Sequence, residues 1–472
     1  MKHYIKTTLY LIAFTTLFLS CSDQLDRTPI DELEESTAYN TVADLGAGLA
    51  GAIGGININA TIRFNSIFTD NGKIGLDNGG QRIPLLNQLI DPNGGDEGLW
   101  TSHYRTINNF NRVIAASENI TVGPADRNEF NNILAQCYAF RAYLHSELFV
   151  YYSLNMNDAT AGSIPYQNTV ATSGSLGRLS TEDFMTQINA DLDMANSLFP
   201  SSADDINFAT KDFGTFIKAR LALYTGDYNT AITNATSLIN KYALADTSEY
   251  TQMFNEQNTN EVIFKYDNVQ GSNNSIAGNW IFTGSGGAFV EMSNSLYNSY
   301  DADDVRLSVV LNPNSDPAGN IHNIAKYPVF EPTINVNDFK AMRISEMYLV
   351  RAEANARNST SNLAAAAADV QAIRVARYTA NTPTLVSYPN LIAAITDIKL
   401  ERRRELAYEG HRYVDIKRYK DILNIGIVRD ALDCLGSFPC ELEVSSPKFI
   451  FPIPQSEIAA NPELSASQAP GY

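Results

Sequence analysis

Beyond its first twenty residues, this 472-residue chain reads as having no uninterrupted apolar run near the roughly 20 residues that a membrane-crossing helix requires. That excludes a multi-span membrane protein. Basic residues are scarce, 34 Lys and Arg against 52 Asp and Glu, and the only dense basic run, Arg402-Arg403-Arg404, is flanked by acids. A nucleic-acid binder needs a clustered cationic patch, so that class is excluded as well. The five histidines, His3, His103, His145, His322 and His411, make no metal-ligand spacing, and neither HExxH nor CxxC occurs. A zinc centre therefore has no pattern to support it. The Gly-x-Ser-x-Gly elbow of serine hydrolases is missing too. Four cysteines are too few for a disulfide-built scaffold, and there are only two tryptophans, Trp100 and Trp280.

What is present begins with an address. Lys2 and Lys6 precede the apolar run Leu9 to Leu19, which closes on Ser20-Cys21 without an acidic residue before it. Residues 1–20 read as a lipoprotein signal peptide, and Cys21 as the residue that is acylated after cleavage. Leu19 and Ser20 fit that processing site, while Phe18 stands where a smaller aliphatic residue is commoner. Acylation would hold the protein firmly at a membrane surface, since each buried methylene contributes about 0.8 kcal/mol.

Residues 21–31, with Pro29, read as a tether. Ile133, Cys137, Phe140, Leu144 and Leu148 recur at helical spacing, and Ser180 with Asp183 is a capping signal for a stripe from Phe184 to Leu198. Phe213 to Lys241 reads as two helices joined at Thr225 to Tyr228, with Ala219, Ala222, Ala231 and Ala235 permitting close packing. A second hairpin runs from Ile344 to Ala356 and from Leu363 to Tyr378. Such pairs resemble tetratricopeptide hairpins, and stacked hairpins form one continuous body. The expectation is a mostly α protein with a single body over 32–472: a helical half at 32–245, an irregular loop-rich region at 246–340 and a helical segment at 341–472.

The stretch Arg343 to Ala354 and the motif Glu401 to Arg412, followed by Asp415 and Arg418, resemble signature helices of the SusD/RagB family of outer-membrane nutrient-binding lipoproteins. Phe451 to Ile458, Asn461-Pro462 and the closing Gly471-Tyr472 are similar to that family's last segment. Ala139 to Tyr143, Ile164-Pro165 and Cys21-Ser22-Asp23 agree with its first half. The resemblance implies a tetratricopeptide-like scaffold with a loop-rich ligand face. It also implies lipid anchoring at the cell surface of the outer membrane, and docking on a SusC-like TonB-dependent transporter. Oligosaccharide capture is the leading expectation and peptide capture the alternative. From another class, a secreted glycoside hydrolase is weighed below.

Glu401, Glu405 and Glu409 stand one helical turn apart and invite a catalytic reading. They continue the apolar stripe Leu391, Ile395, Ile398, so they read instead as a buried ion-pair network, with Gly410 ending the helix and no catalytic residue assigned. Gly46 to Gly51 spells a dinucleotide-binding glycine pattern without its strand, and reads as a small-residue packing helix. No cofactor is expected. Two acidic loops, Asp91 to Glu97 and Asp301 to Asp304, read as solvated, with calcium the lesser alternative. Cys434 and Cys440, close in sequence around Gly436 and Pro439, either pair or stay free.

A sugar ring offers an apolar face and a rim of hydroxyls, so its binder needs an aromatic platform beside amides or charges. Asn279-Trp280-Ile281-Phe282 lies between glycines in the irregular region, and Trp280 is the first candidate platform, set against plain core packing. Trp100 precedes the helical run Tyr104 to Ala116 and reads as core more than site. Asp70, Asn71, Gln81 and Arg82 occupy an early polar loop of the kind the family uses for ligand contacts, and Tyr297 and Tyr300 are further candidates.

Overall fold

The computed structural model describes residues 38–171, 176–268, 275–281, 287–327, 337–434 and 438–472. The signal, Cys21, the tether and Phe282 lie outside the described residues. The helices of ten residues or more are α1 (Val42–Gly54), α2 (Ile58–Ile67), α3 (Leu99–Ser117), α4 (Arg127–Tyr152), α5 (Thr181–Leu198), α6 (Lys211–Thr225), α7 (Tyr228–Ile239), α8 (Ile344–Arg357), α9 (Leu363–Arg377), α10 (Leu391–Glu405) and α11 (Arg412–Leu423). The described strands form two-stranded antiparallel pairs: β1 (Gly72–Ile74) with β3 (Val290–Met292), β2 (Val262–Tyr266) with β4 (Phe339–Arg343), and β5 (Ile427–Val428) with β6 (Glu441–Leu442). The protein is mostly helical, as its sequence leads one to expect.

Local signals explain where the hairpins turn. Thr210 caps α6 by accepting from the Phe213 N–H, and Gly226 ends it at φ 84°, a left-handed conformation that costs glycine little. Asp227 at once caps α7 through the Thr230 N–H. Ala219, Ala222, Ala231 and Ala235 are all buried between the two arms. Helix α7 packs on α8, α8 on α9, and α8 again on α10, so the hairpins stack side by side. Asn362 caps α9 and Asn390 caps α10 in the same way.

Three expectations are corrected. Helix α10 stops at Glu405 and not at Gly410; Tyr408 and Gly410 both adopt positive φ in the turn that follows. Trp100 lies in the first turn of α3 and not ahead of the helix. The stretch Val42–Ile67 does pass for a membrane span by length and composition. It is, however, broken at Gly55 to Asn57 into α1 and α2, and Leu45, Ala60, Ile62, Phe64 and Ile67 are fully buried in the core. Within α1, a side chain at Gly48 would meet the Tyr39 ring at 2.6 Å, so close packing explains the glycine-rich pattern.

The largest apolar cluster draws on residues from Val42 to Leu464. Its aromatic centre joins distant parts of the chain: Phe64 of α2 stacks on Phe68 at 4.5 Å and meets Tyr413 of α11 and Phe451 edge-on. Cys434 and Cys440 are joined in a disulfide, while Cys137 is free and buried in α4.

Charged residues form a second core. Glu405 accepts from Arg343 at 2.8 Å, from Arg377 at 2.9 and 3.0 Å and from Arg306 at 3.2 Å. Glu409 takes Arg343 and Lys326, Glu401 takes Arg306 and Arg374, and Glu261 takes Arg343 and Arg377. All are buried and bond to one another, so the row of glutamates is a structural network with no open cleft beside it.

Candidate ligand-binding face

The early polar loop is held against the irregular region by β1 and β3. Beyond the strands the pairing continues, with Gly75 N–H donating to the Phe289 carbonyl at 3.1 Å and Asp77 N–H to that of Ala288 at 3.0 Å. A side chain at Gly75 would lie 2.3 Å from the Ala288 oxygen, so only glycine allows this approach. The Asn78 amide donates to the carbonyls of Phe289 and Gln81, which ties the loop tip down while Leu76, Asp77, Gly79, Gly80 and Gln81 remain exposed.

Behind this tip stands a polar cluster. Asn59 and Arg63 lie one turn apart on α2, and Arg63 donates to the Asn279 amide oxygen at 3.3 Å while its Nε bonds the carboxylate of Glu97. Asn279 in turn donates to Asn59 at 3.4 Å. Arg82 lies over the Phe289 ring, 5.9 Å from its centroid. Burial, then the neighbouring charge of Arg63, lower the Arg82 pKa, and Glu97 opposes them. Arg82 and Glu97 both adopt positive φ, at 57° and 56°, a strained state for such residues that persists where surrounding structure imposes it.

Of the residues singled out in the sequence, the structure brings Asn279 and Arg82 to this cluster and sends the others elsewhere. Trp280 is wholly buried against Tyr327 and Tyr408, with ring centroids 6.3 and 5.5 Å away, so its face offers no platform at the surface. Trp280→Ala should therefore lower stability by about 3 kcal/mol through the cavity it leaves, softened because the indole Nε1 has no hydrogen-bond partner to lose. Urea unfolding checks this; an unchanged midpoint would mean that the ring is not packed.

Asp70 is buried beneath the loop, where Arg412 grips it at 2.6 and 2.7 Å; burial opposes its charge, but Arg403 and Arg412 hold the carboxyl well below its usual range. Asn71 accepts from Arg403 at 2.8 Å. Tyr300 is buried with its hydroxyl on the Arg404 carbonyl, and Tyr297 stacks on His322. These residues are structural in this arrangement. The acidic loops are equally engaged: Asp96 accepts from Gly98 and Tyr152, Glu97 from Arg63, Asp301 from Tyr378 and Asp304 from Arg306. Among the described residues no group of three or more His, Cys, Asp and Glu could hold a metal ion.

Trp100 has a different setting. Buried in α3 and packed 4.8 Å from Tyr104, it lines a pocket of about 450 Å³ with Tyr104, Arg105, Asn108, Gln167, Glu457 and Asn461. The Tyr104 hydroxyl donates to the Pro165 carbonyl, Asn108 exchanges hydrogen bonds with Ala171, and Asn461 donates to Leu176, so the aromatic and amide walls are braced. Arg105 is exposed at the rim. Tyr104, Asn108, Gln167 and Asn461 were missed in the sequence, because the walls come from residues 60 and 350 positions apart. A hollow of about 670 Å³ beside Lys417 and Lys420 also carries Tyr224 and Phe449. There Lys417 donates to carbonyls at the end of α4 and Arg418 pairs with Glu353, so its chief cations serve the fold.

Stacked helical hairpins carrying short sheets and a loop-borne polar face define a helical binding scaffold. Residues 331–472 match the model of the SusD family, and residues 25–212 match that of a family described as starch-binding associating with outer membrane. Between them the two models take in most of the chain, which belongs to the SusD family. SusD-like protein P2 of Formosa agariphila is 25% identical, over 98% of this chain and 99% of its own. A SusD superfamily protein from Bacteroides vulgatus superposes with a TM-score of 0.77 at 22% identity, over 92% of this chain and all of that one. Surface glycan-binding protein A from Bacteroides thetaiotaomicron, in complex with laminarihexaose, does so with a TM-score of 0.69 at 18% identity, over 91% and 100%. These structures share the fold.

Proposed function

We propose that this protein is a cell-surface lipoprotein that captures oligosaccharides and passes them to a SusC-like TonB-dependent transporter. The observation that carries the binding reading is the pocket beside Trp100 and Tyr104, with aromatic edges next to three carboxamides and a volume within the roughly 300–1,000 Å³ of small-molecule sites. Tyrosine and tryptophan contact the C–H face of a pyranose, and amides meet its hydroxyls from both sides as donor and acceptor. Family membership and the solved likeness that holds a glucan support the same reading. The lipid on Cys21 and the partner transporter rest on the signal motif and the family resemblance. The single body expected over 32–472 is part of this proposal, and so is the absence of catalysis.

Peptide capture is favoured by one feature, the opposite charges of Arg105 and Glu457 across the pocket, which suit a zwitterionic segment. Calorimetric titration with laminarihexaose, maltohexaose and mixed tetrapeptides separates the two. Ala460→Trp, placed at an exposed position on the rim, should fill the pocket and weaken saccharide binding at least tenfold with an unchanged melting temperature. Unaltered affinity would move the site away from Trp100. Reducing ends released during incubation would count for a hydrolase.

A further inference from the structure

Elsewhere in this chain arginines that lose water gain carboxylates: Arg306, Arg343, Arg377 and Arg412 each meet at least one at 2.9 Å or closer. Arg82 is the exception on the early-loop face. It is half-buried, its Nε is buried without a hydrogen-bond partner, and its contact is the Phe289 ring. The neighbouring Glu97 is taken by Arg63, which also holds Asn279. Two guanidiniums thus share one carboxylate. The backbone fixes Arg82 at positive φ, and its carbonyl accepts the Leu86 N–H at 3.0 Å, so the cation is presented from a braced position.

We propose that Arg82 receives the acidic group of the ligand, a carboxylate or sulfate ester on an acidic saccharide. This rests on the saccharide reading above and names the class of saccharide. A partly desolvated cation without a counter-ion carries a cost that a neutral hydroxyl relieves only in part, whereas an anion returns both charge and hydrogen bonds to the vacant Nε edge. The pKa depression that burial and Arg63 impose on Arg82 has the sign that an incoming anion would cancel. The exposed loop tip beside it leaves the approach open. The chain's overall charge of −18 makes this local excess more selective, because acidic polymers are repelled from the rest of the surface.

The test is calorimetry with three hexasaccharides, laminarihexaose, an oligogalacturonate and a sulfated galactan fragment, at 50 and 500 mM NaCl. One or both acidic oligomers should bind at least tenfold tighter than laminarihexaose at low salt and lose that advantage at high salt; which one does so separates uronate from sulfate. Arg82→Gln should abolish the advantage while leaving the melting temperature unchanged or raised, since no partner of Arg82 is lost. Glu97→Gln frees Arg63 and should strengthen acidic binding several-fold. If laminarihexaose binds as tightly as the acidic oligomers and neither substitution changes any affinity, the acidic-ligand proposal falls and saccharide binding stands. If no saccharide of either kind binds, both fall.

Discussion

Glu405→Ala should unfold this protein, or lower its stability by more than about 5 kcal/mol, although the residue touches no proposed ligand site. Its two carboxylate oxygens serve Arg343, Arg377 and Arg306, all essentially without exposure to water. Breaking one buried pair by removing a partner costs about 3–5 kcal/mol, because the other charge stays buried and uncompensated. Here one deletion reaches three cations, and Glu261, Glu401 and Glu409 already serve other donors and cannot replace it. Burial works against the Glu405 charge, yet Arg377 and Arg343 hold its carboxyl well below the usual range, so it is ionised wherever the protein is folded. Soluble yield and urea unfolding of Glu405→Ala and Glu405→Gln provide the measurement. A loss under 1 kcal/mol for the alanine variant would mean that water reaches the network.

That network also shows why much of the fold was legible. Charges spaced every fourth residue along an apolar stripe can lie only on a buried face, and α10 puts them there. The hairpin of α6 and α7 was marked by Gly226, Asp227 and the alanines, each with a local physical reason to be where it is. The end of α10 was misplaced because Gly410 suits a helix terminus, whereas tertiary contacts turn the chain earlier, at Tyr408. Whether Cys434 and Cys440 pair was open until the β5–β6 hairpin was seen to bring them together.

The site was less legible, since residue type does not reveal burial when the packing partners are remote. Trp280 sits among glycines and polar residues that look like an exposed loop, yet Tyr408, 128 positions away, covers it. Asp70 lies in a polar loop, and the Arg412 that neutralises it is equally distant in the chain. Arg63 was overlooked because α2 reads as a plain core helix; its outward face matters only once Glu97 and Asn279 are folded beside it.

The protein should also lose stability steeply between about pH 6.5 and pH 3.5. His145 is buried with Nδ1 2.9 Å from the Arg141 carbonyl while Nε2 accepts the Gln167 N–H at 3.0 Å, an arrangement that only the neutral ring satisfies. Burial pushes its pKa down to about 3, and does the same to His103 and His411, each to about 4. A folded pKa below the unfolded value of about 6.5 means that the unfolded chain binds more protons between the two, so stability falls as pH drops through that window. Each such shift is worth on the order of 3 kcal/mol, and three of them approach the 5–15 kcal/mol that hold a typical domain together. Buried carboxylates extend the loss: burial opposes the Glu346 charge, but Arg220 holds its pKa at about 2, so its contribution is present above about pH 4.5 and disappears toward pH 2. Glu147, raised by burial to about 7, acts in the opposite direction, one group against many. Urea midpoints at pH 7, 5.5 and 4 should fall in that order, with unfolding near pH 4 in the absence of denaturant. Equal midpoints across the series would mean that these histidines accept protons without leaving the native state.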